Sequence, residues 1–243
     1  MYRLEGYVTV YLYVDTIVEF MLLTPHQREK IDLGNDQEFY ISPRFVTHVD
    51  KGFIDQLTNL YQERLQPKTR VLDLMSSWVS HLPDDLEFDH VEGHGMNQEE
   101  LAKNPRLDHY FVQNLNENPK LPLKDHDFDA VLITVSVQYL QYPEAIFSEI
   151  DRILKPGGMV IISFSNRMFY DKAIAAWRDN SEEGRVELVK SYFKSVKNAN
   201  GVPGFSQVEV IAQKSNVPTF LQMLGLGGGD PFYVVTACRQ LEY

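Results

Sequence analysis

The chain has 243 residues, 44% of them hydrophobic and 23% charged, and it is therefore long and apolar enough to bury a sizeable core. Its net charge of −11 argues against a nucleic-acid partner, because phosphate contacts need clustered lysines and arginines. The single cysteine, Cys238, has no partner for an internal disulfide, and this predicts a reducing, cytoplasmic location.

The chain begins with an apolar, aromatic stretch that has two interpretations. Residues 7–23 are short for a membrane span and carry Asp15 and Glu19, which are costly in lipid, so no membrane partner is predicted. Valines and tyrosines alternate in this stretch, and that pattern favours a β-strand. We expect residues 1–38 to form an N-terminal arm that need not belong to the core. The other interpretation is that translation starts at Met21.

From residue 39 onward, helical and strand patterns alternate. The predicted strands are short and apolar, whereas the predicted helices carry apolar residues at helical spacing. The predicted helices cover residues 53–65, 99–104, 144–154, 169–179 and 181–196. The predicted strands cover residues 70–74, 89–93, 110–113, 128–134, 159–164, 207–212 and 232–239. Between the last two strands, the run GLGGGDP at residues 225–231 predicts a hairpin loop.

This order of elements predicts an α/β fold with a mostly parallel sheet and helices on both faces. No linker or internal repeat divides the chain, so a single domain is predicted for residues 39–243. In an open parallel sheet, ligands bind beside the carboxyl ends of the strands. We therefore expect the functional site in the stretches that follow those ends.

Two stretches carry a resemblance to a known family. The runs LDLMSSWVSHLP at residues 72–83 and LKPGG at residues 154–158 resemble class I S-adenosylmethionine-dependent methyltransferases. They look like a divergent bacterial and plant group of methyltransferase-11-like domains, over about residues 39 to 238. The resemblance implies a Rossmann-like fold whose seven-stranded sheet ends in an antiparallel hairpin. It also implies a methyltransferase that uses S-adenosylmethionine on a small-molecule acceptor that remains to be identified.

The loop after the first strand departs from the family pattern. In the family resembled, this strand ends D-L-G-x-G-x-G, whereas Met75, Ser77 and Val79 stand at the glycine positions here. Trp78 has two interpretations, an apolar wall of the cofactor pocket or a core residue that plugs it. The residues that the resemblance assigns to the cofactor are Asp73, Leu74, Met75, Ser76, Ser77, Trp78, Gly93, Gly95, Met96, Asn97, Asn114, Leu115 and Ser136.

The ribose and adenine positions also differ from the family. The family places a ribose-binding acid two residues after the glycine of the second strand, and that position is Gly95 here. Asn97 or Glu92 are candidates to replace the acid, although alternation along the strand points Glu92 away. Asn114 stands where the family has an acid for the adenine amino group, and it can equally be a turn asparagine. His94 is expected to be a surface or loop histidine, and no metal site is predicted.

The acceptor side is predicted to follow the fourth and fifth strands. Arg167 and its polar neighbours suit a carboxylate or phosphate on the substrate, and the alternative is a solvated arginine in a helix-start network. Residues 165–205 are expected to form a helical cap that shapes the acceptor site. The residues that we assign to the acceptor are Gln138, Tyr139, Asn166, Arg167 and Tyr170.

No catalytic residue is assigned from the sequence. His81, Tyr139 and Tyr170 are conceivable bases, but none of them lies in a motif that singles it out. A serine hydrolase and a nicotinamide dehydrogenase are disfavoured, because the chain lacks G-x-S-x-G and a G-x-G-x-x-G first loop. The rival hypothesis is a methyltransferase-fold module that binds a ligand or a protein without turnover.

Overall fold

The computed structural model describes residues 22–198, 200–214 and 229–241. They contain a seven-stranded sheet in the order β3-β2-β1-β4-β5-β7-β6. The strands are β1 (Arg70–Asp73), β2 (His90–Gly95), β3 (His109–Val112), β4 (Phe128–Thr134), β5 (Leu154–Phe164), β6 (Phe205–Gln213) and β7 (Phe232–Arg239). The predicted strand at the N-terminus, the start at Met21 and most of the predicted GLGGGDP loop lie outside the described residues.

The strand directions confirm the predicted fold class. β1 pairs in parallel with β2 on one side and with β4 on the other, and β5 is parallel to β4. β7 lies between β5 and β6 and is antiparallel to both. The sheet is therefore Rossmann-like and mostly parallel, with an antiparallel pair formed by the two C-terminal strands.

Helices lie on both faces of this sheet. They are α1 (Asp36–Phe39), α2 (Lys51–Arg64), α3 (Gln98–Lys103), α4 (Pro143–Ile153), α5 (Ala175–Arg178) and α6 (Glu182–Ser195). The side chain of Asp50 accepts a hydrogen bond from the Phe53 amide and caps α2, as an acidic N-cap residue does. Pro143 begins α4 at a position where its missing amide hydrogen has no cost. None of these helices is long and apolar enough to cross a membrane.

Side chains of the strands alternate between two apolar clusters, one on each face. Val71 of β1 packs with Phe53 and Leu57 of α2, whereas the next residue, Leu72, joins the cluster on the opposite face. That second cluster contains Phe147 of α4 and the inner face of α6. Each such buried side chain contributes roughly 1.5–3 kcal/mol relative to an exposed one. The two clusters hold the sheet rigid and leave its carboxyl edge free for a site.

Several residues of the expected N-terminal arm, within the part that the structure describes, pack on the rest of the domain. Leu23 is 2% exposed and belongs to the apolar cluster of α4 and α6. Arg28 forms an ion pair with Glu144 of α4 at 2.6 Å. The amides of Ile31 and Asp32 donate to the carbonyl of Asp171. These are single apolar, ionic and main-chain contacts to distant residues, so they leave no periodic pattern in the sequence.

The two helices in the segment expected as a helical cap, residues 165–205, pack on the apolar core. α5 covers only Ala175–Arg178, and Trp177 is buried in the core instead of facing a ligand. α6 contacts α4, β6 and β7, so it covers one face of the sheet and not its carboxyl edge. Of the four aromatic residues that suggested a cap, Trp177 and Phe193 belong to the core, whereas Phe169 is partly buried and Tyr170 is 56% exposed.

Candidate functional site

A cavity of about 620 Å³ lies at the carboxyl edge of the sheet. Its lining comes from the loops that follow β1, β2, β3, β4 and β5, and from residues between Lys30 and Val49. The volume is within the range of roughly 300–1,000 Å³ that is typical of sites for small molecules and cofactors. We call the strand-end loops the floor of this cavity, and residues 30–49 its roof.

The glycine-poor loop after β1 keeps a conformation that glycine would adopt easily. Met75 has a φ of 61°, in the left-handed region, which costs a residue other than glycine on the order of 1 kcal/mol. Two hydrogen bonds hold the loop there: the Met75 amide donates to Nδ1 of His94 at 3.1 Å, and the Ser76 amide donates to the His94 carbonyl at 2.6 Å. The Met75 side chain packs against the apolar core.

Trp78 forms a wall of the cavity. Its Nε1 donates to the carbonyl of Val46 at 3.2 Å, and its ring meets the edge of Phe45 in the roof. Trp78 is half-buried and belongs to neither apolar cluster. The indole therefore joins floor to roof at the rim, and the hollow next to it stays open.

Asp73 is the buried carboxylate of the floor. Its Oδ2 accepts from the Ser76 hydroxyl at 2.5 Å. Burial raises the pKa of Asp73 to about 6, although hydrogen bonds from Ser76 and Ser80 lower it in part. The carboxylate therefore carries a charge in a poorly solvated position at neutral pH.

His94 was expected at the surface, and the structure places it in the interior with 1% of its area exposed. Its Nε2 lies 2.9 Å from the Gln113 carbonyl, and its Nδ1 accepts from Met75, which assigns the proton to Nε2. Burial lowers the pKa of His94 to about 4, so the ring is neutral. This one side chain connects the ends of β1, β2 and β3.

The predicted ribose position cannot hold an acid. A Cβ atom at Gly95 would lie 2.6 Å from the Ser76 carbonyl, so the close approach of the β1 loop requires glycine. Asn97 caps α3 with its Oδ1, and its Nδ2 donates to the carbonyls of Tyr40 and Ile41. Its hydrogen-bonding capacity is therefore used within the protein.

A different acid lines the cavity. Glu92 is bound by His90 and His109 and is not among the lining residues, in agreement with the alternation argument. Glu100, in the first turn of α3, does line the cavity and is buried. One of its oxygens accepts from the Arg44 amide at 2.7 Å, and the other from the Ser77 hydroxyl at 2.6 Å. Sequence reasoning missed Glu100 because it lies beyond the strand end, inside a helix.

The residues predicted to bind adenine or the acceptor include several that line the same cavity, and some of these also form contacts within the protein. The Oδ1 of Asn114 accepts from the Asn116 amide at 3.1 Å, as in the turn interpretation, while the residue also lines the cavity. The Tyr139 ring stacks on Phe169 with centroids 6.0 Å apart, and its hydroxyl accepts from the Phe169 amide. Arg167 is 58% exposed and pairs with Asp230 at 2.6 Å.

Most of the predicted site residues meet at this cavity. Three of them do not line it: Leu74 is buried in the core, Gly93 packs beside Leu107, and Gln138 is buried with its Nε2 on the Val135 carbonyl. The predicted residues that do line it are Asp73, Met75, Ser76, Ser77, Trp78, Gly95, Met96, Asn97, Asn114, Leu115, Ser136, Tyr139, Asn166, Arg167 and Tyr170.

The roof was not predicted. Phe39 and Tyr40 form edge contacts with Phe169 of the β5 loop. On the other side of Phe39, Lys172 forms ion pairs with Asp32 and Asp36 and donates to the Gly34 carbonyl. Thus residues 30–49 of the N-terminal segment cover the site, and residues 166–170 and Lys172 of the segment expected as a cap line the same cavity.

Comparison with known proteins agrees with this geometry. The family model of a methyltransferase domain, the methyltransferase-11 type, matches residues 92–162, which run from β2 into β5. This stretch of the chain is therefore methyltransferase-11-like. The matched stretch includes LKPGG, the run that already resembled the family in the sequence.

Two curated relatives each match part of this chain. The biotin biosynthesis bifunctional protein BioHC of Teredinibacter turnerae is 30% identical over 104 residues, which are 43% of this chain and 18% of that protein. A demethylmenaquinone methyltransferase of Streptomyces avermitilis is 46% identical over 43 residues, which are 18% of this chain and 19% of that protein. The matches thus span about a fifth of the length of these curated relatives.

A solved structure extends the likeness to most of the fold. The crystal structure of the [4+2]-cyclase SpnF superimposes with a TM-score of 0.53 and 18% identity, covering 77% of this chain and 81% of that chain. At this identity the likeness concerns the fold alone, because one fold carries many reactions. Function has to be argued from the site.

Proposed function

We propose that this protein is an S-adenosylmethionine-dependent methyltransferase that acts on a small molecule. The observation that carries the proposal is the open cavity at the carboxyl edge of β1 to β5 in a methyltransferase-11-like domain. The cavity stays open because Met75, at one of the family's glycine positions, packs against the core, and its neighbour in the loop, Trp78, stands at the rim.

The lining residues fit an adenosine-containing cofactor. Gly95 lets the β1 loop and the end of β2 approach closely, which keeps the floor shallow. The hydroxyl of Ser136 is buried at the cavity and has no hydrogen-bond partner among the described residues, so it can bind a polar atom of a ligand. We assign cofactor binding to the loop of Asp73 and to Gly95, Met96, Asn114, Leu115 and Ser136.

The protein contributes position and shielding to the reaction. S-adenosylmethionine supplies an activated methyl group when bound. Rigid strand ends orient the reactants, and such orientation supplies most of the catalysis in a displacement of this kind. The roof keeps water from the cavity and limits the size of the acceptor. Burial raises the pKa of Tyr139, so its phenol stays protonated at neutral pH and serves to position Phe169.

Calorimetric titration of the full chain with S-adenosylmethionine and S-adenosylhomocysteine tests the first step. We expect micromolar binding of both, and a loss of about tenfold for Asn114→Ala, in line with about 1.4 kcal/mol for a polar contact. Asn59→Ala, which alters an exposed asparagine of α2, is the matched control and should bind like the wild type. No heat with either compound at millimolar concentration would overturn the proposal.

Methyl transfer itself needs a second measurement. The protein is incubated with S-adenosylmethionine that carries a labelled methyl group and with the small-molecule fraction of a cell extract. Label in a new small molecule, absent with a variant that does not bind the cofactor, supports the enzyme. Binding without any transfer of label supports the rival hypothesis of a module without turnover.

A further inference from the structure

One cation at the cavity lacks a partner. Arg44 lies in the roof and lines the cavity, and its Nη1 is buried without a hydrogen-bond partner among the described residues. A buried donor that is left unpaired destabilises the folded state, and a donor on a charged group does so more than a neutral one. The folded protein therefore holds this nitrogen ready for an acceptor that the chain itself does not provide.

The rest of the Arg44 side chain is fixed. Its Nη2 donates to the Phe39 carbonyl at 2.9 Å, and its amide donates to Glu100 at 2.7 Å. The guanidinium carbon lies 4.5 Å from the ring centre of Phe39 and 5.4 Å from that of Phe169. Aromatic faces stabilise the cation without using its N–H groups. The guanidinium is thus oriented in advance, and its Nη1 remains open.

The other lysine and arginine side chains that line the cavity are neutralised by the protein. Lys30 pairs with Asp36 at 2.6 Å, Lys172 pairs with Asp32 and Asp36, and Arg167 pairs with Asp230. No salt bridge of Arg44 occurs within the described residues. Among the lysines and arginines that line the cavity, Arg44 is therefore the one without a salt bridge within the described residues, while the carboxylates of Asp73 and Glu100 line the same cavity.

We propose that Arg44 binds a carboxylate of the molecule that occupies the cavity. This inference rests on the proposed function, and it transfers to Arg44 the anion-binding role that the sequence suggested for Arg167. The planar guanidinium matches a carboxylate in shape as well as charge. The carboxylate comes either from the amino-acid part of the cofactor or from the acceptor.

Binding measurements on the full chain distinguish these two sources. S-adenosylhomocysteine is compared with 5′-deoxy-5′-methylthioadenosine, which keeps the nucleoside and the thioether but has no carboxylate. If Arg44 binds the carboxylate of the cofactor, Arg44→Gln lowers the affinity for S-adenosylhomocysteine by about 10- to 100-fold and leaves the affinity for methylthioadenosine unchanged. If it binds the carboxylate of the acceptor, Arg44→Gln changes the affinity for neither nucleoside and instead abolishes the binding of benzoate. Benzoate is used as the probe because it is an aromatic carboxylate that suits the rings of the roof.

Two further variants make the test specific. Arg64→Gln removes the same charge from the surface end of α2, where Arg64 pairs with Glu209, and should change none of these affinities. Arg44→Lys keeps the charge but not the planar donor pair, so we expect a smaller loss than for Arg44→Gln, and it serves if Arg44→Gln does not fold.

The outcomes separate this proposal from the function. If the wild type binds S-adenosylhomocysteine and folded Arg44 variants bind it and benzoate as the wild type does, the carboxylate proposal is wrong while the methyltransferase proposal stands. If the wild type binds neither nucleoside, the proposed function fails, and a loss of benzoate binding in Arg44→Gln still supports a carboxylate site.

Discussion

The floor and the roof of the cavity are held in different ways. The floor is held by buried polar groups next to parallel strands, such as Asp73 and His94, which have few alternative positions. The roof exposes large apolar side chains, with Ile41 at 74% and Val46 at 56%, and contacts the floor through separate polar and aromatic contacts. The difference shows that the sheet fixes where the ligand lies, whereas distant contacts of the N-terminal segment fix what covers it.

The largest effect is expected from a small change in the floor. In Gly95→Ala the new methyl group meets the main-chain carbonyl of Ser76, which cannot move without displacing the β1 loop. We expect a loss of about 2–3 kcal/mol in the free energy of unfolding, measured with urea. Gly52→Ala, at an exposed position in the first turn of α2, should be neutral or stabilising by about 0.5–1 kcal/mol. Equal effects of the two would contradict a tightly fixed floor.

The ionisation of Asp73 in the floor is expected to change the free energy of unfolding by a similar amount. The pKa of Asp73 rises from 3.8 to about 6 on folding, so the ionised group destabilises the folded state above pH 6, and this penalty disappears below pH 4. Asp73→Asn should therefore raise the free energy of unfolding of the ligand-free protein by roughly 2–3 kcal/mol at pH 7 and by nearly nothing at pH 4. Asp55→Asn on the surface of α2 should stay within about 0.5 kcal/mol at both values.

His94 acts in the opposite direction over the same pH range. Its pKa falls from 6.5 to about 4, so as the pH drops between these values the unfolded chain takes up a proton that the folded state resists. In the wild type, this loss of stability is offset by the protonation of Asp73. In Asp73→Asn it is not offset, and stability should decline visibly from pH 6.5 to pH 4. A flat profile of the variant would contradict the neutral, buried state of His94.

The smallest effect is expected where the roof meets the floor. Trp78→Phe removes the hydrogen bond to Val46 at a partly exposed position, so the free energy of unfolding should change by less than about 1 kcal/mol. Hydrogen exchange of amides 45–48 should nevertheless accelerate by up to about fivefold. Amides of β1 should keep their wild-type exchange rates, and a change there instead would show that Trp78 supports the floor.

The sequence predicted the floor well because continuous apolar strands report burial directly. β4 and β7 begin and end at the predicted residues, and the strand-end stretches of Asp73, Asn114 and Ser136 meet at one cavity as expected. His94 was misplaced, since a polar residue after a predicted strand end looks like a loop residue. The longer extent of β2 makes it an interior strand position.

The roof could not be predicted from the sequence, for a physical reason. Lys30 and Arg44 are charged, and charged residues in a segment without periodicity normally indicate a solvated surface. Their surroundings depend on residues far along the chain, because Arg44 contacts Phe169, and Asp36, which pairs with Lys30, also pairs with Lys172. The ion pair of Arg167, the predicted acceptor residue, could not be predicted from the sequence for the same reason, because its partner Asp230 lies 63 positions away.

The ammonium group of Lys172 has a consequence for how molecules reach the interior. It is held by Asp32, Asp36 and the Gly34 carbonyl, so lifting residues 32–36 would leave a positive charge in an apolar setting. The opposite flank is closed by one hydrogen bond, from the half-buried indole of Trp78 to Val46, and by the contact between the Trp78 and Phe45 rings. We therefore expect substrate and product to enter and leave at this flank, while the side of the roof that is bound to Lys172 stays in place.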